Sequence, residues 1–288
     1  MDKLNYELQQ LCKHNKDGSF ATQNNRHRML QLSANQLKEE GYRKMGSHSL
    51  KPKHIESLVG RWKAEGISSG TIKNRMATLR WWSEKVNKPG VIKRDNNEYS
   101  IENRTYVSNE SKARTLPQDN LNSISNALVT YSLKLQKQFG LRREESIKFN
   151  VVTADKNQHL ELKSSWTKGG RGRIIPINTA EQRYLLNDIK SKIGNRALIP
   201  DDRTYKQQMK TYEWHVKNAG LDKMHGLRHA YAQSRYKELT GWNSPAAGGL
   251  SSQFLSEGQK TLDRQVRLLI SKELGHEREE ITAVYLGR

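Results

Sequence analysis

Six residues from the middle of the chain to its end carry groups that could surround one phosphate and attack it: Arg142, Lys168, His225, Arg228, His276 and Tyr285. Two guanidiniums are natural bidentate ligands for phosphate oxygens. A lysine and two histidines can supply protons or hydrogen bonds, and a tyrosine hydroxyl can serve as a covalent nucleophile. The set predicts cleavage of a DNA strand with neither a metal nor another cofactor.

Each residue sits in a local motif that gives it a direction. In FGLRREES, a glycine lets the chain turn so that Arg142 projects from a helix start, where free amides already favour an anion, and Glu145 three residues on can orient a neighbour. TKGGRGRIIPI reads as a Gly-rich turn between two strands with Lys168 at its entry. It is no phosphate-binding P-loop, because the GxxxxGK[ST] spacing is absent. Arg171 and Arg173 beside it are read as DNA backbone contacts, as is Arg143. In HGLRHAYAQSRY, His225 and Arg228 share a helix face. His225 and His229 also have zinc-ligand spacing, but Gly226 stands where HExxH needs its glutamate, so no metal site is expected. LGHEREEITAVYLGR places His276 after a helix-interrupting glycine and Tyr285 in the next short helix. Taken singly, each motif also fits a structural role; it is the combination that points to chemistry.

The elements that must position these groups divide in two. Four helical patterns fill the first hundred residues, marked by Leu4, Leu8, Leu11; by Met29, Leu30, Leu37; by Ile55, Leu58, Val59, Trp62; and by Ile72, Met76, Leu79, Trp82, Val86. The fourth carries Lys73, Arg75 and Arg80 on its polar face, candidates for DNA phosphates. Trp81 and Trp82 could both be core, or one could stack on a sugar or base. Periodicity lapses from Asn87 to about Ser111. Helical pattern resumes at LPQDNLNSISNAL and runs through Phe139, then VVTADKN, HLELKSSW and RIIPI suggest a small antiparallel sheet, and helices return from about Ala180. The expected architecture is mainly α with a small antiparallel β-sheet (α+β): a helical DNA-binding domain over 1–88, a linker over 89–111 and a catalytic domain over 112–288.

Composition agrees. The 288 residues carry a net charge of +20, for which a polyanion is the commonest reason. Through Val107 there are 20 basic and 11 acidic residues and beyond it 30 and 19, net +9 and +11, as suits a protein that grips DNA from two sides. Cys12 is the only cysteine, which excludes an intramolecular disulfide and a cysteine-based zinc site. No signal core is present and no apolar run approaches the ~18 residues of a membrane helix, so the expected location is the cytoplasm, with the nucleoid.

The order Arg after Gly-Leu, Lys in a β-turn, HxxR, Gly-His and then Tyr resembles that of the tyrosine recombinases, the lambda-type or phage integrases. The likeness spans roughly Leu116 to Leu286, and GISSGTIKNRMATLRWW is similar to the SAM-like core-binding domain of the family. The resemblance implies that Arg142 and Arg228 are the catalytic arginines, Lys168 the hairpin lysine, His225 and His276 the two histidine positions, Tyr285 the nucleophile and Glu145 the acidic position behind the first arginine. It implies a 3′-phosphotyrosyl intermediate, a double-stranded recombination site, monomers in solution that form a tetramer on DNA, and accessory DNA-bending or directionality factors. The activity expected is integration or excision of a mobile genetic element. A type IB topoisomerase and a catalytically silent DNA-binding regulator on the same fold are the rival readings.

Two features depart from the family pattern. Between Arg228 and His276 the chain carries an excess in TGWNSPAAGGLSSQFLSEGQK, which resembles an insertion in integrases of proteobacterial mobile elements and reads as a surface loop contacting DNA or a neighbouring subunit. Only Leu286, Gly287 and Arg288 follow Tyr285, where many members have a tail that docks into the next protomer, which argues against that mode of assembly.

Overall fold

The computed structural model describes residues 2–167 and 169–288, so Met1 and the candidate Lys168 lie outside the described residues. The chain forms two compact units, the first ending at Thr105 and the second beginning at Tyr106.

The first unit is helical: α1 (Lys3–His14), α2 (Phe20–Glu39), α3 (Pro52–Ala64) and α4 (Ser69–Lys85). Ser19 and Ser68 start α2 and α4 by accepting hydrogen bonds from the amides of Thr22 and Thr71, and Pro52 opens α3 where no amide is needed. The apolar residues at helical spacing converge on one core containing Leu8, Leu30, Leu37, Ile55, Leu58, Trp62, Met76, Leu79 and Trp82. Trp81 joins that core too, so neither tryptophan is presented to a base. Their indole N–H groups donate to Asp17 and to the Ser47 carbonyl. The segment after Asn87 is not a free tether up to Thr105, because Ile92, Tyr99 and Ile101 bury against the same core. Its Lys, Asn and Ser content hid three well-spaced apolar anchors.

The second unit runs through α5 (Gln118–Asn122), α6 (Ala127–Phe139), α7 (Arg143–Ile147), α8 (Val151–Ala154), β1 (His159–Leu162), β2 (Arg173–Pro176), α9 (Ala180–Ile193), α10 (Tyr205–Asn218), α11 (Gly226–Thr240), α12 (Glu257–Glu273) and α13 (Glu279–Leu286). Helix α11 is central, packed on α6, α12 and α13. Strands β1 and β2 pair antiparallel with Leu160 opposite Ile175 and Leu162 opposite Arg173. The VVTADKN run is helical, not a strand: Asn150 caps α8 by accepting from the Thr153 amide, and Val151 and Ala154, three apart, face the core. Only Asp155 just after it touches the sheet, through a single bridge to Leu160.

Candidate active site

Arg142 is the residue from which α7 starts, and the Glu145 side chain reaches back to cap it. The Glu145 carboxylate accepts from the Arg142 amide at 2.6 Å and from its guanidinium Nη1 at 2.8 Å. The same carboxylate is fully buried and accepts two further bonds, both 2.6 Å, from Nη1 and Nη2 of Arg173. Burial alone would raise its pKa; Arg173, with Arg142 and Arg228 behind it, overrides that and holds it down at about 2. Glu145 is therefore a fixed negative strut that leaves half of the Arg142 guanidinium facing the site. Arg173 is 7% exposed and spends its fork on Glu145, which corrects its reading as a DNA backbone contact. The strand explains why: Arg173 and Ile175 alternate onto the buried face of the hairpin while Ile174 faces outward.

Arg228 lies in the first turn of α11 and is 1% exposed. Its Nη1 donates to the Gly140 carbonyl at 2.5 Å, its Nη2 donates to the Leu274 carbonyl, and its Nε donates to the Tyr285 hydroxyl at 3.2 Å. Burial, helped by the charges of Arg142 and Arg173, lowers its pKa to about 10, so it remains a cation at neutral pH. Gly140 has a reason to be glycine. It closes α6 at φ +59, and a Cβ there would stand 2.5 Å from the Tyr231 ring.

His276 lies between the two arginines. Its Nε2 accepts from Nη2 of Arg142 at 3.3 Å and from Nη2 of Arg228 at 3.5 Å. Partial burial and then the fields of Arg228, Arg142 and Arg173 lower its pKa to about 4, so the ring is neutral at pH 7. A cavity of about 500 Å³ opens beside it, lined in part by Arg171, Lys272 and Glu277. His225 stands at the head of α11 with an edge in solvent. Its pKa is also lowered, first by burial and then by Arg228 and Arg142, which leaves it free to accept a proton.

Tyr285, 6% exposed on α13, closes the cluster. Its ring centroid is 6.1 Å from that of His225, 6.2 Å from His276 and 4.7 Å from His229. In the sequence His229 stands out only for its zinc-ligand spacing from His225. It is instead a buried wall of the tyrosine pocket, with its Nδ1 unpartnered and its pKa pushed by burial to about 4. Among the described residues no group of three or more His, Cys, Asp or Glu could hold a metal ion. The structure thus brings Arg142, Glu145, Arg228, His276 and Tyr285 to one point with His225 at its rim.

The remaining cationic candidates differ in what they face. In the first unit Lys73 donates to Asn103 and Arg80 to Asn96 and the Lys93 carbonyl, whereas Arg75 lies over the Trp62 ring with Nε and Nη1 unpartnered. In the second, Arg143 and Arg171 are exposed and pair with Glu213 and Glu277.

Comparisons with known proteins bear on the family and the fold. A family model described as phage integrase, N-terminal, matches residues 1–88, and a second described as integrase matches residues 103–234. No curated protein matches the chain in sequence. Among solved structures, the chain is similar to the Tn1549 transposon integrase in complex with circular intermediate DNA, at 16% identity and a TM-score of 0.55 over 100% of this chain and 96% of that one. It is similar to a lambda integrase tetramer bound to a Holliday junction, at 14% identity and a TM-score of 0.62 over 98% and 78% of the two chains. It is also similar to the XerH site-specific recombinase bound to a palindromic difH substrate, at 16% identity and a TM-score of 0.59 over 99% and 81%. At such identities these are likenesses of fold. No helix among the described residues is long and apolar enough to cross a membrane.

Proposed function

This chain belongs to the phage integrase family of tyrosine recombinases, and we propose that Arg142, Lys168, His225, Arg228, His276 and Tyr285 are the residues with which it cleaves and rejoins DNA. The observation that carries the assignment is the meeting of two guanidiniums, the His276 imidazole and the Tyr285 hydroxyl at one point. A phosphodiester gains negative charge on its non-bridging oxygens as a nucleophile arrives, and cations already fixed in place lower that barrier. Arg142 and Arg228 hold those oxygens, and His276 adds a hydrogen bond once it is protonated. The Tyr285 oxygen bonds to phosphorus as the bond to the 5′-oxygen breaks. His225 takes the phenolic proton, and Lys168 gives one to the departing 5′-oxygen. The 3′-phosphotyrosyl bond keeps the ester, so a 5′-hydroxyl from a partner duplex can reverse the step and join new strands.

Two duplexes cut on both strands need four nucleophiles, hence a tetramer on DNA assembled from monomers. Lys73, Arg75, Arg80, Arg143 and Arg171 supply phosphate contacts, and accessory DNA-bending or directionality factors select integration or excision of a mobile element. The test incubates two differently labelled duplexes that carry the recombination site. The expected product joins label from one to the other with wild type and is absent with Arg228→Ala. Rejoining of original ends alone would indicate topoisomerase behaviour, and site-specific binding with no cleavage would indicate a silent regulator.

A further inference from the structure

The insertion between Arg228 and His276 does not lie wholly on the surface as its Pro, Gly and Ser content suggests. Leu250 and Phe254 are exposed, but Ser244, Pro245, Ala246 and Leu255 are buried. Trp242 donates its indole N–H to the Tyr236 hydroxyl at 3.2 Å, and that hydroxyl donates to Asp263. Asp263 accepts two bonds from Nε of Arg267, at 2.8 and 2.9 Å, and Nη1 of Arg267 donates to the Gly287 carbonyl at 2.8 Å. A chain of side chains thus runs from the insertion to the second residue after Tyr285.

The turn at Gly287 is gripped from two more directions. Asn109 both donates to the Arg288 backbone oxygen at 2.8 Å and accepts from the Arg288 amide at 2.9 Å. Gly287 adopts φ +74, and a Cβ on it would lie 2.5 Å from Oδ1 of Asn109, 2.8 Å from the Ala246 amide nitrogen and 3.1 Å from Cβ of Pro245. Only glycine lets these pieces close on the backbone. Gln233 adds a bond from its side-chain amide to the Tyr285 carbonyl at 3.1 Å.

We propose that Trp242–Ala247 of the insertion, the Asp263–Arg267 pair and Asn109 form a clamp on the turn after Tyr285 and thereby set the reach of its hydroxyl toward the scissile phosphate. The effect on chemistry rests on Tyr285 being the nucleophile; the clamp itself does not. Arg267 and Asn109 are positioning residues: neither has a place beside the phosphate, and each acts through the backbone of Gly287 or Arg288.

The test uses the full chain with Arg267→Gln, Arg267→Lys and the surface variant Asn109→Ala, the last of which removes two bonds without disturbing a core. Hydrogen exchange is followed in a peptide spanning 282–288, and single-turnover formation of the covalent complex is followed at saturating DNA. The clamp predicts faster exchange confined to that peptide. It also predicts a cleavage rate lower by about 10- to 100-fold for Arg267→Gln and about three- to tenfold for Asn109→Ala, with DNA affinity unchanged and partial recovery in Arg267→Lys. Exchange and cleavage at wild-type values in Asn109→Ala and Arg267→Gln would overturn it, as would losses that merely follow melting temperature and DNA affinity. Should wild type form no covalent complex, the nucleophile assignment fails while the exchange comparison still decides the clamp.

Discussion

At the scale of single residues, the site is organised by positive charge held close together. His276 accepts from both Arg142 and Arg228, and their field is part of what holds its pKa down at about 4. A phosphate between the arginines cancels much of that field, so the pKa of His276 should rise on binding. The sign follows from linkage: if the bound state holds more protons between about 4 and the ordinary imidazole value near 6.5, affinity for the site rises as pH falls through that window. Calorimetry in two buffers of different ionisation enthalpy should register proton uptake at pH 6 that shrinks in His276→Asn; equal uptake in both proteins would place the titration elsewhere. Arg142, His225, Arg228, His276 and Tyr285, which the structure brings together, could be picked out in the sequence because their order along the chain is a pattern. Their partners could not. Glu145 was expected only to orient a neighbour, yet it is the shared counter-ion of Arg142 and Arg173, and the packing of His229 on Tyr285 joins residues 56 apart in sequence.

At the scale of elements, strand β2 and the end of α6 carry the clearest consequences. Arg173 pairs bidentately with a buried carboxylate, so Arg173→Met, which removes two of the four bonds Glu145 accepts, should cost up to about 3–5 kcal/mol while leaving the salt dependence of DNA binding as it was. Arg171→Ala, which removes an exposed cation from the same hairpin, should instead reduce the slope of log affinity against log salt by about 1. Urea unfolding and a salt titration of both variants check the pair, and a reduced slope in Arg173→Met would restore its reading as a DNA contact. The strand alternation in RIIPI could have given this away, since Arg173 shares a face with the core residue Ile175. Gly140→Ala is expected to destabilise by about 1–3 kcal/mol, combining a left-handed backbone with a collision on Tyr231. A thermal melt of the variant at the wild-type midpoint would contradict that. Helix positions were legible from periodicity; α8 was not, because four residues with two valines carry too little period to outweigh β propensity, and the cap from Asn150 decided the outcome.

At the scale of the whole molecule, two basic units on one chain suit a protein whose substrate is a long polyanion, and much of its affinity should be salt-sensitive for that reason. The division between the two compact units at residue 105 falls in the stretch where helical periodicity lapses in the sequence. The tie of residues 92–101 to the first core was hidden in a polar stretch, and the inward half of the insertion was hidden by its loop-like composition. The proposed attack of Tyr285 on phosphorus, helped by residues alone, is the step on which the function depends. It is tested most directly with nicked suicide duplexes tiled across the DNA flanking the gene, incubated in chelator with wild type and with Tyr285→Phe and resolved on a denaturing gel. A covalent protein–DNA band with wild type and none with Tyr285→Phe is the predicted result; a band that persists in Tyr285→Phe, or specific binding by wild type with no band, would contradict it.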